Sequence, residues 1–425
     1  MPITTAQQLR QAVDTAVAEV KVTDVHTHIY PPCFGELLLW GLDDLITYHY
    51  LTAETFRWVE LPSEDYWKLS KREQADLIWR TLFLENSPIS ESNRGVLTVL
   101  EALGLDVGSR DLAAYRRHFE KLKVEDYIAT VFELGGVKDV VMTNDPFDEA
   151  ERKVWMESYQ ADPRFHAALR IDQLVLNWRA NWPRLAAWGY KVEESLTAKT
   201  AAEVRRFLTD WAKRMNAVYM AASLPPDFTV NSPPSPDLER GKGVRDLLVR
   251  ECVLPVSLEL NLPFAMMMGV KKLTNPELRL AGDGVGKASI ETVEQLCAGH
   301  PRNKFLVTML SRENQHELAV AARKFRNLMP FGCWWFLNNP SLVDEITRMR
   351  LELLGLSFIP QHSDARVLDQ LIYKWRHSRR VIADALYDKC ADLMATGWVL
   401  DEAQIKRDVE KLFGGSFWAF LERKL

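Results

Sequence analysis

The chain has 425 residues, 47% of them hydrophobic and 26% charged, with a formal net charge of −5 at pH 7. This is the composition of a folded globular protein, and it holds no basic excess for nucleic acid and no Lys/Arg run for an anionic membrane surface. No stretch approaches the roughly 18 uninterrupted apolar residues of a membrane span. The five scattered cysteines, at 33, 252, 297, 333 and 390, lack CxxC spacing and are expected to be reduced thiols of a cytoplasmic protein.

The first segment, MPITTAQQLRQAVDTAVAEV, reads as an amphipathic helix capped by Thr4 or Thr5, without the apolar centre of a signal peptide. VTDVHTHI (22–29) then reads as a strand ending in His26 and His28. Residues two apart on a strand share a face, so both imidazoles can reach one point in space. Residues 30–136 read as several helices, among them ELPSEDYWKLSKREQADLIWRTLF and DLAAYRRHFEKLK. They are expected to form a helical insertion, over 36–130, within a single domain spanning 1–425.

Seven further strands follow as apolar or β-branched runs: 137–143, 165–171, 217–224, 262–270, 305–310, 329–336 and 356–364. Helix-period segments such as SIETVEQLCAGH, ENQHELAVAARKFRN and LVDEITRMRLELLG lie between them. Strands with near-continuous apolar cores, alternating with helices, predict a parallel sheet covered by helices. Eight such units predict an α/β fold, a distorted (β/α)8 barrel with the helical insertion after strand 1. The Pro- and Ser-rich stretch 223–244 follows strand four at the catalytic face, where a lid is expected. The last segment, 401–425, is expected to pack Val409, Leu412 and Phe417 onto the barrel.

Barrel active sites form at the C-terminal ends of the strands. Strand one ends in His26 and His28, strand three in Arg170 with Asp172 beyond it, strand seven in Trp334 and Trp335. Strand eight ends in QHSDAR, with His362, Asp364 and Arg366 on alternating positions. First and last strands are neighbours in a closed barrel, so His26, His28 and Asp364 are expected to converge as a divalent-metal site. Because Trp334 and Trp335 alternate in direction, only one of them is expected to line the pocket. Arg170 beside Asp172 also reads as a structural ion pair, and His49 as a packed histidine. AGDGVGK (281–287) lacks the spacing of a phosphate-binding P-loop and reads as a turn.

These segments resemble the uronate (glucuronate) isomerase family of the amidohydrolase superfamily. The resemblance is carried by VHTHIYPP, LITYHYL (45–51), LRIDQLVLNW (169–178), AGDGVGK, FGCWWFLNNP (331–340) and the DAR of 364–366, spread over most of the chain. It implies aldose–ketose interconversion of a hexuronate, D-glucuronate to D-fructuronate or D-galacturonate to D-tagaturonate, on a small-molecule substrate in a cytoplasmic homo-oligomer. Asp364 would then shuttle the proton, with His49 and Tyr50, from the loop after strand one, contacting the substrate. Arg170 and Arg366 would bind the carboxylate and hydroxyls, Trp334 and Trp335 would wall the sugar, and His26, His28 and Asp364 would hold one divalent metal, zinc by first choice. The family carries a further histidine on a middle strand where this chain has Met267 within AMMMG. A thioether is a poor ligand for such an ion, so the metal is expected to be weakly bound or dispensable. The rival readings are a metal-dependent hydrolase or decarboxylase of the superfamily, which the missing histidine disfavours, and a non-catalytic sugar-acid-binding homologue.

Overall fold

The computed structural model describes residues 2–230 and 242–425. The apolar runs form strands β1 (Val22–Thr27), β2 (Val137–Asn144), β3 (Phe165–Arg170), β4 (Tyr219–Leu224), β5 (Phe264–Met268), β6 (Phe305–Met309) and β7 (Leu328–Pro330). Among the described residues these make one seven-stranded parallel sheet in sequence order. Helices such as Ala198–Met215 and Gln370–Ala395 cover its outer face, as a parallel sheet with buried strands requires.

The eighth strand expected over 356–364 does not form as a strand. Pro360 has no N–H to give a ladder, and only isolated contacts close the gap. On one side Ile359 N donates to Pro330 O at 3.1 Å and accepts at its own carbonyl from Gly332 N at 2.8 Å. On the other, Asp364 N donates to His26 O at 3.1 Å and His28 N to Ala365 O at 2.7 Å. This irregular eighth stave completes a (β/α)8-like barrel.

Val25, Val141, Tyr219, Ala265, Leu306 and Phe331 fill the interior as one buried cluster. The helix Ser416–Glu422 adds Phe417 and Phe420 to it, from the end where the strands begin: Trp418 Nε1 donates to Thr23 Oγ1 at 3.1 Å. Val409 and Leu412 are buried in the larger cluster outside the barrel. The expected terminal packing is thus present, with Phe417 acting as a plug. At the other terminus, the helix Ala6–Glu19 is capped by Thr5 in a capping box with Gln8, a device worth about 1 kcal/mol.

Between β1 and β2 the chain is helical, including His49–Thr55, Lys71–Trp79, Glu91–Ala102 and Val124–Gly135. Of the expected lid over 223–244, residues 231–241 lie outside the described residues; before them, Phe228 and Val230 are buried. Among the described residues no helix is long and apolar enough to cross a membrane.

Candidate active site

The end of β1 is irregular: its register against β2 shifts between Asp24 and Thr27, a bulge of the kind that re-aims side chains. Both imidazoles nevertheless reach one carboxylate. His26 Nε2 lies 3.3 Å and His28 Nε2 3.5 Å from Asp364 Oδ1. Asp364 sits at φ +51° in the left-handed region, a strained conformation of the kind that clusters at functional sites. Its Oδ1 is buried and, although at ion-pair distance, lacks the alignment of a hydrogen bond. Burial works against this carboxylate, yet His26 and His28 outweigh burial and hold it well below the usual carboxylate range. His28 is driven down to about 3, chiefly by burial and then by Arg366, so its ring is neutral at ordinary pH.

The far side of His26 presents two hydroxyls to Nδ1. Tyr219 OH donates to Val25 O at 2.8 Å, so its oxygen is left to accept from His26 Nδ1 at 3.4 Å, with Thr143 Oγ1 at 3.2 Å from the same nitrogen. With its proton on Nδ1, His26 would offer the Nε2 lone pair toward the Asp364 carboxylate. Two acceptors facing each other in a buried site are stable when a cation lies between them. The ligand atoms of His26, His28 and Asp364 all lie within 4.8 Å of one another, so this buried group fits a metal ion. Met267, paired with Ser223 on β4 and Thr308 on β6, is buried beside it and adds no hard donor.

Arg170, the last residue of β3, grips Asp172 with both arms of its fork: Nε to Oδ2 at 2.8 Å and Nη2 to Oδ1 at 3.2 Å. Asp172 also accepts from Ser223 N at 3.0 Å. The pair is therefore structural, and the guanidinium still faces the cavity. Together His26, His28, Arg170, Arg366, Trp334 and Trp335 line one small cavity. Arg366 has no carboxylate partner among the described residues.

Both tryptophans are buried and both line the cavity, which corrects the expectation that one would turn away. Strand β7 stops at Pro330, and Trp335 takes φ +51° to open a 3-10 turn, so strict alternation no longer applies. His49 and Tyr50 are likewise not in a loop: they open the helix His49–Thr55. His49 meets the Trp335 ring edge-on at 5.9 Å, with its Nε2 buried and unpaired. Tyr50 lies behind it, 4.7 Å between ring centres, stacked on Phe336. The buried Lys374 ammonium lies 5.7 Å from the Tyr50 ring, its pKa brought down to about 8 chiefly by burial.

Several site residues carry no role in the sequence reading. Thr143 and Tyr219 orient His26, and Lys272 lines the cavity. His362 is fully buried with neither ring nitrogen paired, its ring 5.1 Å from that of His26. The alternating QHSDAR pattern was the available signal for His362. For the others the signal lay in tertiary placement, which a single sequence does not reveal.

Behind Arg170, Glu151 accepts from Tyr30 OH at 3.0 Å and from Asp145 N at 3.0 Å. Burial nonetheless raises its carboxyl to about 7. The folded state therefore holds a proton that the unfolded chain releases near the ordinary glutamate value of 4.5. Its contribution to stability is complete below that value and is lost as pH rises toward 7. A Glu151→Gln variant can place its amide toward Tyr30, whose hydroxyl then donates to Thr143 O at 3.2 Å. Urea unfolding from pH 4.5 to 8 is expected to show a flatter stability profile for this variant than for the parent. Parallel profiles would refute the assignment.

The arrangement suits a small, hydroxylated anion: an ionised carboxylate able to take a proton, two imidazoles, guanidinium groups and aromatic walls. Comparison with solved structures places the chain beside three enzymes. A uronate isomerase from Bacillus halodurans superposes with a TM-score of 0.95 at 55% identity, covering 99% of this chain and 98% of that one. A uronate isomerase from Thermotoga maritima superposes at TM-score 0.76 with 14% identity, covering 99% of each chain. A glucuronate isomerase from Caulobacter crescentus gives 0.75 with 16% identity, covering 100% of this chain and 98% of that one. These last two show the shared fold alone. No family model and no curated protein matches the chain.

Proposed function

Because the chain belongs to the uronate isomerase family, we propose that it interconverts a hexuronate aldose with its ketose, D-glucuronate with D-fructuronate and D-galacturonate with D-tagaturonate. The observation that carries this reading is the buried, ionised Asp364 meeting two imidazoles in a cavity lined by Arg170 and Arg366.

In this reading Asp364 takes the C2 proton of the open-chain aldehyde and returns it to C1, while the C2 hydroxyl proton passes to the C1 oxygen. Both imidazole contacts fall on Oδ1, which leaves Oδ2 for the carbon-borne proton. Arg366 and the outer face of Arg170 hold the substrate carboxylate and neighbouring hydroxyls, where a planar guanidinium fork fits best. Trp334 and Trp335 wall the sugar carbons, and His49 and Tyr50 contact its oxygens. His26, His28 and Asp364 would hold one divalent metal, with zinc favoured by imidazole donors; when bound it supplies Lewis-acid polarisation of a sugar oxygen. The chain is read as a single barrel domain with 36–130 as its insertion, assembling as a homo-oligomer. Its five free cysteines favour a cytoplasmic setting.

The test is incubation with D-glucuronate and D-galacturonate in deuterated water, with and without chelator. Ketose carrying solvent deuterium at C1 is the expected product. Absence of ketose from both sugars, with metal supplied, would end the proposal.

A further inference from the structure

The loop after β5 builds a clasp whose outcome is one positioned ammonium group. Val270–Lys271 pairs antiparallel with Gly284–Val285, which folds 270–287 back on itself. Between the paired segments, Asp283 is buried and accepts from Lys272 Nζ at 2.7 Å and from Leu273 N at 2.8 Å. Gly282 lies so close to the opposite limb that a Cβ there would fall 1.8 Å from Asn275 O. Leu273 and Arg279 both take left-handed φ, at +50° and +53°. The AGDGVGK motif, which fits no phosphate loop, is thus the limb that delivers Asp283 to Lys272.

Lys272 lines the active-site cavity, as Arg366 does, and its held ammonium lies 5.5 Å from the Trp335 ring centre. Asp283 uses one of its three N–H donors, and the others remain for a ligand. Arg170, by contrast, already spends one edge of its fork on Asp172.

We propose that Lys272 is a specificity residue for this site, a clasp-held cation that contacts the carboxylate end of a sugar acid and selects acids over neutral sugars. This deepens the isomerase reading and rests on it for the identity of the substrate. The loop is pinned to the insertion by Trp67 Nε1, which donates to Glu277 O at 2.8 Å, so the ammonium is placed before the ligand arrives. Such preplacement reduces the cost of ordering on binding.

The test compares the full chain with Lys272→Met and Lys272→Arg. The probe is L-gulonate, which keeps the carboxylate but has no carbonyl to isomerise, titrated by calorimetry beside the neutral glucitol. Lys272 is largely exposed, with 59% of its side-chain surface open, so both variants are expected to fold. Loss of one charged hydrogen bond should weaken L-gulonate binding by about 10–100-fold in the Met variant, with substantial recovery in the Arg variant. KM for D-glucuronate should rise in parallel while kcat stays within about threefold, the pattern of lost uniform binding. Ketose production with K272M binding L-gulonate as tightly as the parent overturns the inference and leaves the isomerase reading standing. Lys272-dependent binding of L-gulonate without any ketose supports the inference and overturns the isomerase reading. If the parent binds glucitol as well as L-gulonate, or binds neither, Lys272 selects nothing and the inference fails.

Discussion

Replacing Asp364 with Asn is expected to lower ketose formation by about 10²–10⁴-fold, the usual contribution of a positioned base, while leaving the fold intact. Asn is isosteric with Asp and tolerates the left-handed backbone that position 364 adopts at φ +51°. The backbone bond from its N–H to His26 O, which helps close the barrel, needs no side chain. What is lost is the acceptor for a carbon-borne proton, because an amide cannot take one up at neutral pH. The substitution also removes the negative charge between His26 and His28, so weaker metal retention is a competing explanation for lost turnover. Metal content and L-gulonate affinity separate the two. Retained metal and sugar-acid binding with lost turnover assigns the proton to Asp364. Turnover within about tenfold of the parent would remove Asp364 from the chemistry altogether.

The convergence of His26, His28 and Asp364 was legible because it follows from topology. A barrel places its first and last staves side by side, so residues more than 300 positions apart in sequence become neighbours without any knowledge of side-chain packing. Strand runs were legible for the same kind of reason, since buried parallel strands are nearly continuous apolar stretches. The failures are local. The segment LSFIPQHSD has the composition of a strand, but Pro360 interrupts its ladder, and the stave is held by backbone contacts at Ile359, Asp364 and Ala365. Alternation misplaced one tryptophan because Trp335 leaves the extended region. Lys272 escaped notice because its importance depends on Asp283, eleven residues later, folding back over it. Thr143 acts on His26 through the register of β2 against β1, and Tyr219 reaches it across the barrel interior from β4.

Gly332→Ala, a substitution away from the reacting groups, is expected to do its harm through the site itself. Gly332 sits at φ +68°, and a Cβ there would lie 2.0 Å from His362 Cδ2 and 2.7 Å from its Nε2. The ring has no room to retreat: it is fully buried, 5.1 Å from the His26 ring and 5.5 Å from that of Phe331. Nor is the backbone free to shift, since Gly332 N donates to Ile359 O at 2.8 Å and Gly332 O accepts from Arg350 Nη1 at 3.0 Å. Left-handed strain costs about 1–2 kcal/mol and overpacking about 1–3 kcal/mol, together about 2–5 kcal/mol. For a chain of this length, that lowers Tm by roughly 2–5 °C, from the entropy of unfolding per residue. Turnover should fall further than stability alone explains, because the displaced His362 presses on the ring that Tyr219 and Thr143 orient. A double-mutant cycle isolates that term: in a His362→Ala background the methyl group enters the space the ring vacates, and only the backbone strain remains. Additive effects of the two changes on both Tm and kcat would show that Gly332 and His362 do not act on each other, and that His26 is held without them.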